Sequence, residues 1–267
     1  MSAVGFDNIL TIEIDRLDDL FNEQPSRRHA FVEDPVLELP GVAIIASRTS
    51  ALRRELLARI ANRKIPHLNR NNPDESLLLI PNHGAQVFVR QMLAGMSKVD
   101  FKDLDAASIS DDNWPRITSG VNLLDQSSGD KGFVEDPRFK MITISLSVTD
   151  LVELIGATKS GATIVLENYH MLRGLTDGAS IMADLRNAAV SAGAYLYMGC
   201  GLSHWHELRD KGGLYLSDLV EDMTEAIHVA DLITILAPNV SGARAVVFDA
   251  RYSAPWKGEL RTLLEKS

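Results

Sequence analysis

An open α/β fold, a twisted and mostly parallel sheet with helices on both faces, is what this sequence predicts, and three observations carry that expectation. From Pro40 onward, short β-rich apolar runs alternate with stretches of helical periodicity, the pattern of strands joined by crossover helices. The run from Gly41 to Ala61 has the layout of a strand, a tight loop and a helix. The chain is long enough, at 267 residues, and apolar enough, at 45% hydrophobic with 24% charged, to bury a large core.

Residues 1–38 are expected to form an N-terminal arm, because a short alternating run from Ile9 to Ile14 gives way to a Pro- and charge-rich stretch with Pro25, Arg27, Arg28 and Pro35. Its apolar residues Ile9, Ile12, Ile14, Leu17, Leu20 and Phe21 can dock on a neighbour or pack on the chain's own domain. One domain, 39–267, follows. Strands are expected at Val42–Ser47, Ser76–Ile80, Met141–Leu146, Ala162–Glu167, Ala194–Gly199, Leu232–Leu236 and Ala245–Asp249. The first helix starts near Ser50, a residue suited to N-capping, with Leu52, Leu56, Leu57 and Ile60 on one stripe. A second helix begins after His83, where Val89, Met92, Leu93 and Met96 fall at core spacing; two more span Ser180–Val190 and Leu219–Val229. Trp114 and Trp256 are expected to anchor packing.

A strand, loop and helix in this arrangement usually hold a nucleotide phosphate, through glycines that let backbone N–H groups close in, a Lys for the β/γ oxygens and a Ser or Thr hydroxyl for Mg²⁺. Here Leu52, Arg53 and Arg54 stand where Gly, Lys and Ser/Thr are needed. Leu52 disfavours the close-approach backbone that Gly permits, and neither arginine can ligate a cation. The layout is kept and the chemistry is missing. Arg48, Arg53, Arg54, Arg59, Arg63, Lys64 and Arg70 are also the densest basic stretch of the chain. They are either a solvated helix face or a cluster that meets an anion: a nucleotide phosphate, a nucleic-acid backbone or a partner's carboxylates.

The net charge of −9 argues against a general polyanion-binding surface, while leaving room for a local basic patch. With Cys200 the single cysteine, no intramolecular disulfide can form, and a cytoplasmic setting is the simplest. The acidic N-terminus, with Asp7, Glu13 and Asp15, resembles neither a secretory signal nor a transit peptide, and no run reaches the length of a membrane span. Cys200, His204 and His206 suggest a metal site, but no fourth ligand stands at a persuasive spacing, so a surface loop is the better reading.

Several segments, in the same order, resemble the C-terminal RecA-like motor domain of DnaB-type replicative helicases over roughly residues 39–260. Leu39 to Ser50 is similar to that family's first strand and loop, Arg48 and Ser50 matching its A-R-P-S stretch. Gln91 to Ser97 and Ile109 to Ile117 resemble its M-L-x-x-x-S and D-x-x-W-x-R-I; Ile164 to Arg173 resembles its acidic strand, I-D-Y-L-Q-L-M. Arg209 to Leu219 and Ile227 to Ile233 resemble its D-K-R-P…S-D-L…Q-D-A-D-x-I block.

The resemblance implies a RecA-like fold and lets the departures be judged. The family's catalytic Glu corresponds to Asn82, whose amide cannot take a proton from water. Its metal-supporting Asp becomes Glu167, beside Asn168 and His170, either still able to hold Mg²⁺ or simply hydrogen-bonded locally. Of the basic groups in its K-x-R-x-G-P, Arg251 survives while Asp249 replaces the Lys. A degenerate nucleotide site of Arg48, Ser50, Leu52, Arg53, Arg54, Asn82, Glu167 and Arg251 is therefore expected, with no catalytic residue, no metal and no cofactor; the alternative is ATP with Mg. By the same resemblance Arg209 and Lys211, near His204, Trp205 and His206, fall on a DNA-facing loop. The implied partners are a replicative helicase or copies of this chain, and possibly single-stranded DNA, with no membrane. The implied role lies in DNA replication, by binding and not by hydrolysis, as adaptor or antagonist. The alternatives are a divergent but active ATP-dependent DNA helicase and a non-motor single-strand binder.

Overall fold

The computed structural model describes residues 36–68, 75–128, 138–175, 178–202, 219, 229–239, 242–249 and 256–261. They build one sheet of eight strands: β1 Gly41–Ser47, β2 Leu77–Ile80, β3 Phe139–Met141, β4 Thr163–Leu166, β5 Tyr195–Cys200, β6 Leu232–Asn239, β7 Gly242–Asp249 and β8 Trp256–Arg261. The order across the sheet is β3-β2-β4-β5-β1-β6-β7-β8. The first six strands in that order run parallel, and β7 and β8 add an antiparallel extension.

The near-continuous apolar runs follow from the sheet being covered on both sides. Along β1, Val42, Ile44 and Ala46 face one core while Ala43 and Ile45 face the other. β2, β4 and β5 alternate in the same way: Leu78, Ile164 and Leu196 on the first side, Leu77, Val165 and Tyr197 on the second. The second core is closed by α1 Ser50–Leu68 and α2 Ala85–Ser97, with Leu123 and Leu124 of α4 Trp114–Ser128 packed against it. The short α3, Phe101–Asp105, connects α2 to α4. The first core is closed by α5 Val148–Gly156 and α6 Gly178–Ala192. In α1 the inward stripe is Leu56, Leu57, Ile60, Ala61, Ile65 and Leu68, at the i, i+3/i+4 spacing that 3.6 residues per turn dictates. α5 opens with a capping box, in which the Ser147 hydroxyl accepts the Asp150 N–H and the Asp150 carboxylate accepts the Ser147 N–H at 2.7 Å.

The start of β1 is pinned by a carboxylate. Asp231, just before β6, accepts the Val42 N–H at 2.9 Å and takes a forked pair of bonds from Arg186 of α6. Gly41 is required there, because a Cβ at that residue would collide with the Asp231 carboxylate.

Several expectations need correction. The third strand is Phe139–Met141 and not Met141–Leu146: it pairs with Leu77–Leu79, and beyond Met141 the chain turns away although β2 runs on to Ile80, so that Ser147 bridges Arg173 instead. Trp114 does not anchor packing; it opens α4 with 51% of its surface exposed. Met92 is core and Met96 packs against it, whereas Val89 and Leu93 are half-buried. Helices α3, α4 and α5 and strand β8 were not anticipated individually. The arm, apart from residues 36–38, and the helix expected over Leu219–Val229, apart from its ends, lie outside the described residues; Leu219 itself forms an isolated bridge with Leu202. Among the described residues no helix is long and apolar enough to cross a membrane.

Candidate functional site

In open α/β sheets ligands bind in the crevice beyond the carboxyl ends of the strands. At that crevice this chain gathers Ser47 at the end of β1, Cys200 at the end of β5, Glu167 after β4, Asn82 after β2 and the first turn of α1. The sequence-predicted residues Arg53, Arg54, Asn82 and Glu167 are thus brought together although they are far apart in the chain. What they touch is one another and the backbone.

Arg53, 6% exposed, turns inward: its Nη1 donates to the Cys200 carbonyl at 2.7 Å and to the Ser47 carbonyl at 3.3 Å. These carbonyls terminate two parallel strands, so the guanidinium satisfies acceptors left over where the ladder stops. Burial lowers the pKa of Arg53 from its ordinary value, opposed by the nearby Cys200 and Glu167. The arm passes over Gly199. A Cβ at that residue would lie 2.6 Å from Arg53 Cδ and would collide with the Glu167 carbonyl oxygen.

Arg54 turns toward β4. Its Nε donates to Glu167 Oε1 at 2.7 Å, with the side chains 11% and 2% exposed. Glu167 Oε2 accepts the His83 backbone N–H at 3.1 Å. The carboxylate therefore has a cation on one oxygen and a peptide N–H on the other, which is how a buried charge is tolerated. Asn82 is committed as well: its amide donates to the Asn168 carbonyl at 2.8 Å and its oxygen accepts the Asn168 N–H at 3.0 Å. The side chain imitates a strand edge and extends the β2–β4 pairing beyond Ile80 and Leu166.

The remaining site residues are placed as follows. Ser50 is the first residue of α1, Leu52 packs against the core beneath that helix, and Arg48 is exposed on the loop before it. Arg251, Arg209, Lys211, His204, Trp205 and His206 lie outside the described residues, so neither the basic loop nor the Cys/His set is placed. Cys200 is fully buried, and burial pushes its thiol up to about 12. Among the described residues no group of three or more His, Cys, Asp or Glu is arranged to hold a metal.

The residues present do not fit a magnesium nucleotide. Arg54 offers no oxygen to a cation and already neutralises Glu167, and Arg53 spends its Nη1 on backbone carbonyls. Glu167 is hydrogen-bonded locally, and the carboxylate that Arg54 meets is this intramolecular one. Sequence reasoning missed Gly199 and the His83 N–H, because backbone acceptors and donors carry no residue-type signal; the Gly199-Cys-Gly201 run at a strand end was the one available hint.

Comparison with solved structures gives the fold its relatives. The ATPase domain of G40P superposes with a TM-score of 0.66 over 96% of this chain and 94% of its own, at 14% identity. A DnaB-like replicative helicase, solved with a view to its interactions with primase, gives a TM-score of 0.67 at 12% identity; 96% of this chain covers 64% of that one. No protein-family model and no curated protein sequence matches the chain. The fold is that of DnaB-like helicase ATPase domains, RecA-like with a parallel central sheet.

Proposed function

We propose that this chain is a catalytically degenerate RecA-like domain, related to replicative helicase motors, that acts in DNA replication by binding and not by ATP hydrolysis. The observation that supports this reading most is the Arg54–Glu167 ion pair at 2.7 Å across the crevice where a motor needs a hydroxyl, a cation and a carboxylate. Phosphoryl transfer is mostly positioning and electrostatics, so it depends on a free ammonium for the phosphates, a bound metal and a group that orients water. Arg53, Arg54 and Asn82 stand in those places, and each is engaged within the protein.

Ring motors place nucleotide at the seam between subunits, so a subunit can keep the seam's shape after losing its chemistry. The partner in this reading is a replicative helicase, or further copies of this chain, met through the inherited contact surfaces. The effect is that of an adaptor or antagonist. Calorimetric titration with ATP and with single-stranded DNA, mass measurement in solution and crosslinking to a replicative helicase test it together. No turnover, with a recovered helicase or self-contact, is the expected outcome. DNA-stimulated hydrolysis that Glu167→Ala abolishes would instead establish the active helicase. Single-strand affinity that falls steeply with salt, with no protein contact, would establish the nucleic-acid binder through Arg209 and Lys211.

A further inference from the structure

A buried carboxylate at a strand end is the usual place for a divalent cation in a nucleotide site, yet Glu167 already has a full positive charge against it. Arg54 Nε is 2.7 Å from Oε1, and the His83 N–H takes Oε2 at 3.1 Å. A hard divalent ion asks for oxygen ligands in near-octahedral array at ~2.1 Å. A guanidinium supplies none and repels the ion. Arg54 also stands where the spacing of a phosphate loop puts the metal's hydroxyl ligand.

We propose that Arg54 is a built-in cation that takes the place of a divalent metal at Glu167. Its single side chain ties the first turn of α1 to the end of β4, and through Glu167 to the β2–α2 loop at His83, holding three segments in one arrangement. The crevice, and any partner contact it supports, is therefore indifferent to magnesium. This rests on the reading of the site as a degenerate phosphate site and adds how that site is held.

The test titrates the full chain with manganese chloride, following bound Mn²⁺ by the loss of its free electron-spin-resonance signal and the fold by the thermal midpoint. The unaltered protein binds no Mn²⁺ through Glu167, and its midpoint is the same in chelator and in millimolar Mn²⁺. Arg54→Thr lowers the midpoint, and Mn²⁺ then raises it again with one ion bound per chain; adding Glu167→Gln removes both responses. Arg54→Lys, which keeps a cation, stays silent to manganese. If Arg54→Thr does not fold, Arg54→Gln, neutral and closer in length, replaces it. Mn²⁺ binding by the unaltered protein that Glu167→Gln abolishes would overturn the proposal, as would a neutral variant at Arg54 that folds and shows no response. ATP turnover by the unaltered protein would sink the functional reading and leave the manganese result standing, so the two failures are distinguishable.

Discussion

Glu167→Gln removes a buried charge while keeping the shape of the side chain, and the geometry sets the size of the effect. Both partners are shielded from water, at 11% and 2% exposure, and they meet at 2.7 Å. Unit charges centred about 4 Å apart gain about 4 kcal/mol at an effective dielectric constant near 20. Removing one partner from a buried pair costs about 3–5 kcal/mol, because the other charge is left uncompensated. Here the stranded charge is Arg54, with Arg53 adding like charge beside it. The amide oxygen can still accept one hydrogen bond, which places Glu167→Gln at the lower end, about 3 kcal/mol. At roughly 2–4 °C per kcal/mol for a domain of this size, the thermal midpoint falls by about 6–12 °C. Urea unfolding of Glu167→Gln, Arg54→Met and the double variant gives the coupling directly. The double variant should be less destabilised than the sum of the singles, by about 2 kcal/mol or more. Additive losses, or a change under about 1 kcal/mol for Glu167→Gln, would refute the pairing as the element that holds the crevice.

Gly199→Ala forces a methyl group against the Glu167 carbonyl and the Arg53 stem, and is expected to lose about 1–3 kcal/mol, read as a lower urea midpoint; a neutral result would mean that Arg53 does not take this course. Asp231→Ala leaves the Val42 N–H and the half-exposed Arg186 without their acceptor and is expected to cost about 1–2 kcal/mol by the same unfolding assay, with Arg186→Ala in the Asp231→Ala background adding little. Burial raises the Cys200 thiol from 9.0 to about 12, so the unfolded chain ionises first and stability, complete below pH 9, is lost as pH climbs toward 12. The slope attributable to Cys200 is about 1.4 kcal/mol per pH unit. Tyr197, raised from 10.0 to about 12 by burial, adds to the decline above pH 10. Cys200→Ala should therefore move the onset of the alkaline decline from near pH 9 to near pH 10 in urea midpoints collected across that range. Tyr197→Phe removes the acceptor of the Leu37 N–H at 2.9 Å and is expected to cost about 1 kcal/mol.

Three side chains at the crevice each find a partner within the protein. Arg53 reaches carbonyls that any parallel sheet leaves at its carboxyl edge; Arg54 reaches the one acidic side chain at that edge; Asn82 zips to the next strand.

The alternation of apolar runs with helical stretches was enough to name the sheet, most of its strands and the helices α1, α2 and α6, because residues buried on both faces must be apolar whatever their neighbours are. That Leu52, Arg53, Arg54 and Asn82 bring no ammonium, hydroxyl or carboxylate was likewise readable, since it is a property of residue type. Strand ends were less readable: Ile142 to Leu146 continues a strand-like pattern, yet pairing ends at Met141 although β2 runs on to Ile80, and where pairing ends is decided by the tertiary course of the chain and not by residue type. Trp114 reads as a packing anchor and lies at the surface because α4 turns Ile117 and Gly120 inward instead. Only the tertiary structure decided what the arginines do. Their partners, Glu167 and the carbonyls of Ser47 and Cys200, are distant in sequence, two are backbone atoms common to every residue, and they converge because parallel strands bring their carboxyl ends to one edge.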